Sequence, residues 1–470
     1  MGQVLSICKH TWTYYRGFFH YWCGTGRHSP YRLGPDCTFK PLRPEKTDST
    51  ESLLFKQHAR IHLYQLACNF YLYDKPHYRK GSYRDDLVDN LRNVAIPGTG
   101  IPLSLFVRSR WIALPFILTA YPFVSLIASV HKWLKTGSDI AEEYATRLLA
   151  PDDWFSYWRL NCNIVGLHSL LNQDEARADY DMENKWTFLE EGEKRGVPVS
   201  PFLKTPGIVV KHRNEEGGLG IHFFKNATVG GDWIIQERIE NSPWVASLLP
   251  PKAPLSTFRV ITCSRACINE SINASSNPSP ETVTALSCVF RAGRANAATD
   301  HDSILFDVNV KTGEIGRGTT NAHWYRLGLY QALPGRCPWR STHHFTEHPD
   351  GSAGVAEITG NRVPDISSIL ALAEKSHWDL CPRVPFAGWD VVLSADSKLP
   401  VCLLEVNLSC NFFRGSFDKK VCLLLLCGQL SSKIYSRNSR DDVRFVSKVY
   451  FDFIEDTLVK LQEQRLLADL

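Results

Sequence analysis

Three polar side chains sit inside apolar runs toward the carboxyl end of the chain. Asp390 lies in Gly388-Trp389-Asp390-Val391-Val392-Leu393, and Glu405 and Asn407 close Val401-Cys402-Leu403-Leu404-Glu405-Val406-Asn407. Joined by Ala395-Asp396-Ser397-Lys398, the two runs predict adjacent antiparallel strands with a polar turn between them. Glu405 and Asn407 are two apart and share one face of a strand. If the hairpin is symmetric about its turn, Asp390 stands about opposite Glu405, roughly 5 Å away at Cβ. Two buried carboxylates that close repel unless a cation lies between them. Oxygen ligands beside an amide suit magnesium, which shares its other positions with water and phosphate oxygens. Carboxylates turned to solvent would account for Asp390 but not for Asp, Glu and Asn inside runs otherwise fit for burial, so a metal site is the favoured reading.

Upstream residues have the chemistry of a phosphate site. Lys185 to Gly196 has a helical pattern ending at a glycine, as helices often do. Ile208-Val209-Val210-Lys211 predicts a short buried strand with a lysine at its end, followed by Glu215-Glu216-Gly217-Gly218-Leu219-Gly220. Glycines after a strand let backbone N–H groups approach a phosphate while the lysine supplies charge. The pattern is neither a Walker loop nor a dinucleotide fingerprint, and glycine turns after strands are common. Trp233 to Ile239 predicts a strand that turns polar at Gln236-Glu237. Thr257 to Thr262 and Ser287 to Arg291 predict two more strands, carrying Arg259 and Arg291. Either arginine can clamp a phosphoryl group or a carboxylate, or simply form a surface ion pair.

The elements that must position these residues have room to form. At 470 residues with a net charge of +4, the chain accommodates two or three domains of ordinary globular composition. Neither the charge nor any motif indicates nucleic-acid binding. The 14 cysteines are scattered without CxxC pairs, as in a reduced cytosolic protein. His343, His344 and His348 lack further ligands at zinc spacing and are expected to be surface histidines. Asn172 to Asn184 predicts an exposed connection, and Asn269 to Pro280 a mobile surface insertion.

The amino end reads as a membrane address. In Met1-Gly2-Gln3-Val4-Leu5-Ser6-Ile7-Cys8, Gly2 with Ser6 fits N-myristoylation and Cys8 is placed for palmitoylation. Lys9, Arg16, Arg27 and Arg32 are interleaved with Trp12, Tyr14, Tyr15, Phe18, Phe19, Tyr21 and Trp22, a mixture drawn to anionic lipid. An aromatic segment packed on the main domain is the weaker account. Trp111 to Val130 is uncharged and about as long as a spanning helix needs to be. Pro115 and Pro122 interrupt it, and a single span would put the acylated end and the later, phosphate-handling domain on opposite sides of the membrane. A re-entrant or interfacial hairpin, or a buried helix pair, is therefore expected instead. Ser138 to Leu149 follows as a helix, acidic early and basic late.

The order of motifs resembles the ATP-grasp superfamily, most closely the sugar-transfer-associated ATP-grasp family. The resemblance rests on Lys185, Ile-Val-Val-Lys211, Gly217-Gly218-Leu-Gly220, Ile-Ile-Gln236-Glu237, Phe-Arg259-Val-Ile-Thr, Gly-Trp-Asp390 and Leu-Glu405-Val-Asn407, with His348-Pro-Asp-Gly351 and Gly360-Asn-Arg-Val-Pro364. It covers roughly Asp152 to Phe417 and implies an α+β, two-lobed clamp holding ATP between antiparallel-rich sheets. Lys185 and Lys211 would hold the ATP phosphates under the Gly217–Gly220 loop, and Gln236 and Glu237 would read the adenine at the hinge. Asp390, Glu405 and Asn407 would hold Mg2+, Arg259 would stabilise the transferred phosphoryl group, and Arg291 would orient the substrate. The Asn269–Pro280 insertion and the loose Ala295–Asp300 run depart from the family pattern.

The resulting expectation is four regions: 1–50 a lipidated anchor, 51–150 a helical region containing 111–130, 151–420 the catalytic domain and 421–470 a helical segment. The activity implied is an ATP- and magnesium-dependent ligase forming an acyl phosphate for an amine or hydroxyl acceptor, possibly sugar-linked, at the cytoplasmic face of a plasma or Golgi membrane. A kinase on a hydroxylated or carbohydrate substrate is the alternative, and an inactive membrane-tethered scaffold a further one. Asn226, Asn269, Asn273 and Asn407 begin glycosylation sequons, and Asn407 lies inside the expected site, which also favours the cytosol.

Overall fold

The computed structural model describes residues 2–23, 31–92, 94, 102–151, 154–215, 219–268, 282–300, 303–319, 345–351, 357–409 and 438–468. Its architecture is α+β. The helices used below are α1 (Gly2–Trp22), α2 (Thr50–Leu72), α3 (Tyr121–Thr136), α4 (Ile140–Leu149), α5 (Trp154–Leu171), α6 (Lys185–Lys194), α7 (Ile366–Leu380) and α8 (Asn438–Ala468). The strands are β1 (Gly207–Lys211), β2 (Ile221–Lys225), β3 (Thr257–Ser264), β4 (Val283–Ala292), β5 (Ile304–Val308), β6 (Ile315–Thr319), β7 (Phe386–Leu393) and β8 (Val401–Asn407). Six of them form one antiparallel sheet in the order β6-β5-β4-β3-β7-β8, and β1 pairs with β2 in a separate two-stranded sheet.

Strands β3 and β7 are interior to the sheet and fully buried; β7 reads as a nearly continuous apolar run, while β3 also buries Thr257, Arg259, Thr262 and Ser264. One face of the sheet is covered by α7. There the His377 ring meets the Thr262 hydroxyl at 2.7 Å, and the Trp389 indole N–H donates to the same hydroxyl at 2.9 Å. Phe258, Phe290 and Phe306 stack across β3, β4 and β5 as cross-strand neighbours. The helical layer draws on both ends of the chain. Buried Arg60 of α2 donates to the Leu42 carbonyl at 2.9 Å and to Glu455 of α8 at 2.7 Å. Tyr31 also donates to Glu455, so this buried carboxylate is well supplied with donors.

Four expectations need correction. The aromatic amino end is not a segment apart from the fold. In α1, Tyr14, Phe18 and Tyr21 recur at helical spacing and are buried, Tyr14 and Tyr21 in the common core, leaving Trp12 and Phe19 outside. Residues 111–130 form neither a hairpin nor a buried helix pair. One helical stretch, Arg110–Leu134, runs through both prolines by way of a π-helical turn over Phe116–Ala120. Pro122 offers no N–H to the Leu118 carbonyl, and the Tyr15 hydroxyl takes that carbonyl instead at 2.6 Å.

The β1 strand is exposed rather than buried, because among the described residues its one strand partner is β2. Trp233 to Ile239 is extended but not a strand. It makes single bridges from Trp233 to Asn226 and from Gln236 to Phe202, and Pro201 interrupts the run it would pair with. Of smaller features, His348 is buried, not a surface histidine, while His343 and His344 lie outside the described residues. Within Asn172–Asn184, Tyr180 and Met182 are buried. The Asn269–Pro280 insertion lies outside the described residues.

Candidate functional site

The β7–β8 hairpin brings Asp390 opposite Glu405, but not by simple symmetry. Counting back from Leu393↔Val401, the register runs Val392↔Cys402 and Val391↔Leu403, and an unbroken ladder would next set Asp390 against Leu404. A bulge at this point leaves Leu404 unpaired and advances β8 by one residue. Because a one-residue slip reverses faces, the bulge is what puts Glu405 and Asn407 on the face of Asp390. On the far edge of β8, Ser200 N–H donates to the Leu403 carbonyl and Leu403 N–H to the Pro198 carbonyl, both within 2.9 Å, which fixes the strand there.

On the other side of β7, Asp390 stands opposite Arg259 of β3, and Arg291 of β4 is opposite Thr257. The pairing sets Arg259, Asp390 and Glu405 in one row across three strands. Both Asp390 oxygens accept from Arg259, Oδ2 at 2.7 Å, and Arg291 reaches Oδ2 at 3.2 Å. Glu405 Oε2 meets Lys185 Nζ at 2.8 Å, and Asn407 Nδ2 donates to Glu405 Oε1 at 3.4 Å. Asp300 accepts from Thr257 Oγ1 at 2.7 Å and from Arg291 at 3.1 Å. Burial pushes the Asp390 carboxyl up, but the guanidiniums of Arg259 and Arg291 outweigh it and hold the group below the usual carboxylate range. Burial pushes the Asp300 carboxyl up, against the pull of Arg291.

Lys185 is the first residue of α6, whose N-cap Asn184 accepts from Trp186 N–H at 2.9 Å. A cation at a helix N-terminus is on the unfavourable end of the dipole, and the Glu405 carboxylate offsets this. Gly196, at φ +70°, ends the helix as expected.

These residues line one cleft of about 1400 Å³. Its floor is the row on β3, β7 and β8. Gln236 to Asn241 and Lys252 to Leu255 line it too, as do Ala297 to Asp300, and Arg79, Asn90 and Trp158 come from the amino-terminal half. Of the residues singled out from sequence, Lys185, Gln236, Glu237, Arg259, Arg291, Asp390, Glu405 and Asn407 all face it. Lys211 and Gly220 do not line it. They sit on the β1–β2 hairpin, where Gly220, at φ +64°, admits no Cβ because His212 and Glu215 lie within 2.6 Å of that position. Gly217 and Gly218 lie outside the described residues. Gly2 and Cys8 are exposed on α1, remote in sequence from the cleft.

Sequence reasoning missed Arg79, Thr257 and Ser409. Arg79 donates to Ser409 Oγ at 2.8 Å and to Glu183 at 2.6 Å, tying the amino-terminal half to the end of β8. Ser409 continues the alternation of Glu405 and Asn407 and was open to detection; Arg79 gives no local signal. Asn226 is buried, with its amide donating to the Leu203 and Thr205 carbonyls at 2.7 and 2.8 Å, so that sequon has a structural role.

The donor set bears on magnesium. The repulsion that called for a cation is already relieved by Arg259, Arg291 and Lys185. Among the described residues no group of three or more His, Cys, Asp or Glu is arranged to hold an ion. Glu405 and Asn407 fit a magnesium ion that takes its remaining ligands from water and phosphate. Asp390 would join them only by giving up a guanidinium. The arrangement is not a pre-built metal cage. No family model, curated protein or solved structure matches the chain.

Proposed function

We propose that the cleft binds ATP with magnesium and activates a carboxylate as an acyl phosphate for transfer to an amine or hydroxyl acceptor. The observation that carries this reading is the convergence of Lys185, Gln236, Glu237, Arg259, Arg291, Asp390, Glu405 and Asn407 on one cleft. An ATP-grasp type of fold would hold the nucleotide against the six-stranded sheet, with Lys185 on the phosphates; Lys211 and Gly220, on the β1–β2 hairpin, would reach them only if that hairpin closed over the cleft. Gln236 and Glu237, beside extended backbone, read the adenine edge. Lys185 turns from Glu405 to the phosphates, freeing that carboxylate, with Asn407, for the cation.

Bound magnesium would neutralise the charge of the β- and γ-phosphates. Arg259 and Arg291, fixed by Asp390, then stabilise the charge that develops on the transferred phosphoryl group and orient the attacking carboxylate. A carboxylate oxygen attacks the γ-phosphorus and ADP leaves; the acceptor then attacks the acyl carbon and phosphate leaves. The chain supplies position and charge, with no covalent nucleophile required.

Titration with ATP, with and without magnesium, followed by product analysis tests the reading. Magnesium-dependent binding with ADP, phosphate and a new amide or ester supports it. ADP with a phosphorylated hydroxyl makes the protein a kinase instead. Absence of nucleotide binding leaves a scaffold and overturns the proposal.

A further inference from the structure

We infer that α1 and the helix Arg110–Leu134 together form a docking face for an anionic lipid surface, with both helices lying along the bilayer rather than crossing it. α1 packs along α2 and α4 and touches the apolar helix at one place, where Tyr14 and Tyr15 donate to the Ile117 and Leu118 carbonyls at 3.0 and 2.6 Å. Gln3 donates to Asp139, the N-cap of α4, at 3.2 Å. α1 and the apolar helix each carry an outward stripe at helical spacing. On α1 it is Leu5, Cys8, Trp12, Arg16 and Phe19, with Leu5 66% and Trp12 63% exposed. On the second helix it is Ile112, Pro115, Thr119, Phe123, Ile127 and Leu134, flanked by Trp111. There Trp111 is 84%, Phe123 63% and Leu134 68% exposed. Exposed apolar side chains in stripes at helical spacing are more than isolated surface residues, and they mark an interaction site.

Charge selects the occupant. Gly2–Trp22 and Arg110–Leu134 contain no Asp or Glu, and their charged residues are Lys9, Arg16, Arg110 and Lys132. Lys9 and Arg16 are exposed beside the apolar stripe, and Arg16 stands 6.0 Å over the Trp12 ring. A second copy of the chain would set these cations against each other. The segment 410–437 carries Arg414, Lys419, Lys420, Lys433 and Arg437 against Asp418, again the wrong sign. Anionic headgroups satisfy both the cations and the apolar stripe, with tryptophans at the headgroup level.

The geometry also favours lying over crossing. Arg110–Leu134, about 37 Å long, has the length to span. Its inner side, however, is fastened to polar partners: Tyr121 donates to the Arg147 carbonyl at 2.5 Å, and Lys132 pairs with Glu143. A crossing would draw these charges into hydrocarbon, whereas an in-plane helix buries only its free stripe.

The test is flotation of the full chain, made without acylation, with phosphatidylcholine vesicles containing or lacking phosphatidylserine. The chain is expected to float only with phosphatidylserine, and Lys9→Gln or Arg16→Gln to weaken binding roughly fivefold each. Phe123→Glu with Ile127→Glu is expected to weaken it at least about tenfold. Trp111→Ala, at a side chain the fold barely touches, is expected to weaken it as well, so the reading does not hang on the folding of the double variant. A parent chain that stays soluble with both vesicle types overturns the inference. So does binding unchanged in Trp111→Ala and in the folded double variant. Self-association abolished by Phe123→Glu, with no lipid present, would assign the face to a second copy and overturn it too.

Discussion

Asp390 and Glu405 face each other across β7 and β8, yet each is neutralised from its own side, Asp390 by Arg259 and Arg291 and Glu405 by Lys185. The two carboxylates share a face, and the repulsion between them is divided among three cations on β3, β4 and α6. The Asp390 cluster is buried and built into the sheet. The Lys185–Glu405 pair is open to solvent and free to exchange partners.

Asp390→Asn therefore takes the carboxylate from the largely buried Arg259 guanidinium, while Arg291 keeps its pairing with Asp300. Removing one member of a buried pair costs about 3–5 kcal/mol. Denaturant unfolding is expected to show a loss of that size, and a loss below about 1 kcal/mol would mean that Arg259 finds another partner. The pH dependence has a definite sign. The carboxyl lies below its ordinary value of 3.8 in the folded state, so its contribution is present above that value and lost as pH falls below it.

Glu405→Gln is expected to do the opposite. Its partner Lys185 is mostly exposed, so the ion pair contributes under about 1 kcal/mol and the fold survives. Magnesium dependence of ATP binding should vanish, and turnover should fall about a hundredfold, as for loss of one preorganised charge-stabilising group. A variant with parental magnesium dependence removes Glu405 from the cation site, whatever its stability.

The hairpin was legible in the sequence because two β-rich runs flank a polar turn, a local pattern. That Asp390 and Glu405 would pair was also expected, though for an incomplete reason: a symmetric ladder without the Leu404 bulge puts them on opposite faces. What relieves their repulsion was not legible, since the insertion of β3 beside β7 is a long-range choice with no local signature. The helical spacing of Tyr14, Phe18 and Tyr21 in α1 was visible all along. It was overlooked because aromatic-basic composition describes a membrane segment and an amphipathic helix equally well.

Burial lowers His62 to about 3, and His168 and His377 to about 4, from an ordinary value of 6.5. Each is neutral in the fold and charged when unfolded between those limits. Its contribution is thus present above pH 6.5 and lost as pH falls toward 4. A shift of this size corresponds to roughly 3 kcal/mol per histidine, so two of them can consume much of a typical stability of about 5–15 kcal/mol. The denaturant midpoint is expected to decline steadily below pH 6.5, before most carboxylates titrate. A midpoint flat from pH 6.5 to 5 would show that the imidazoles are protonated in the fold.

The last prediction isolates the join between α1 and the long apolar helix. Pro122 lacks an N–H, and the hydroxyl of Tyr15 takes the Leu118 carbonyl that this leaves open. Tyr15→Phe alone strands that partly buried carbonyl and should cost about 1 kcal/mol. Pro122→Ala restores an N–H at the helical position that would bond Leu118. In that background Tyr15→Phe should cost markedly less, because the carbonyl already has a partner. A double-mutant cycle measures the difference directly as a coupling energy. Equal costs in both backgrounds would mean that the Tyr15 contribution is ring packing, and that the proline and the tyrosine act independently.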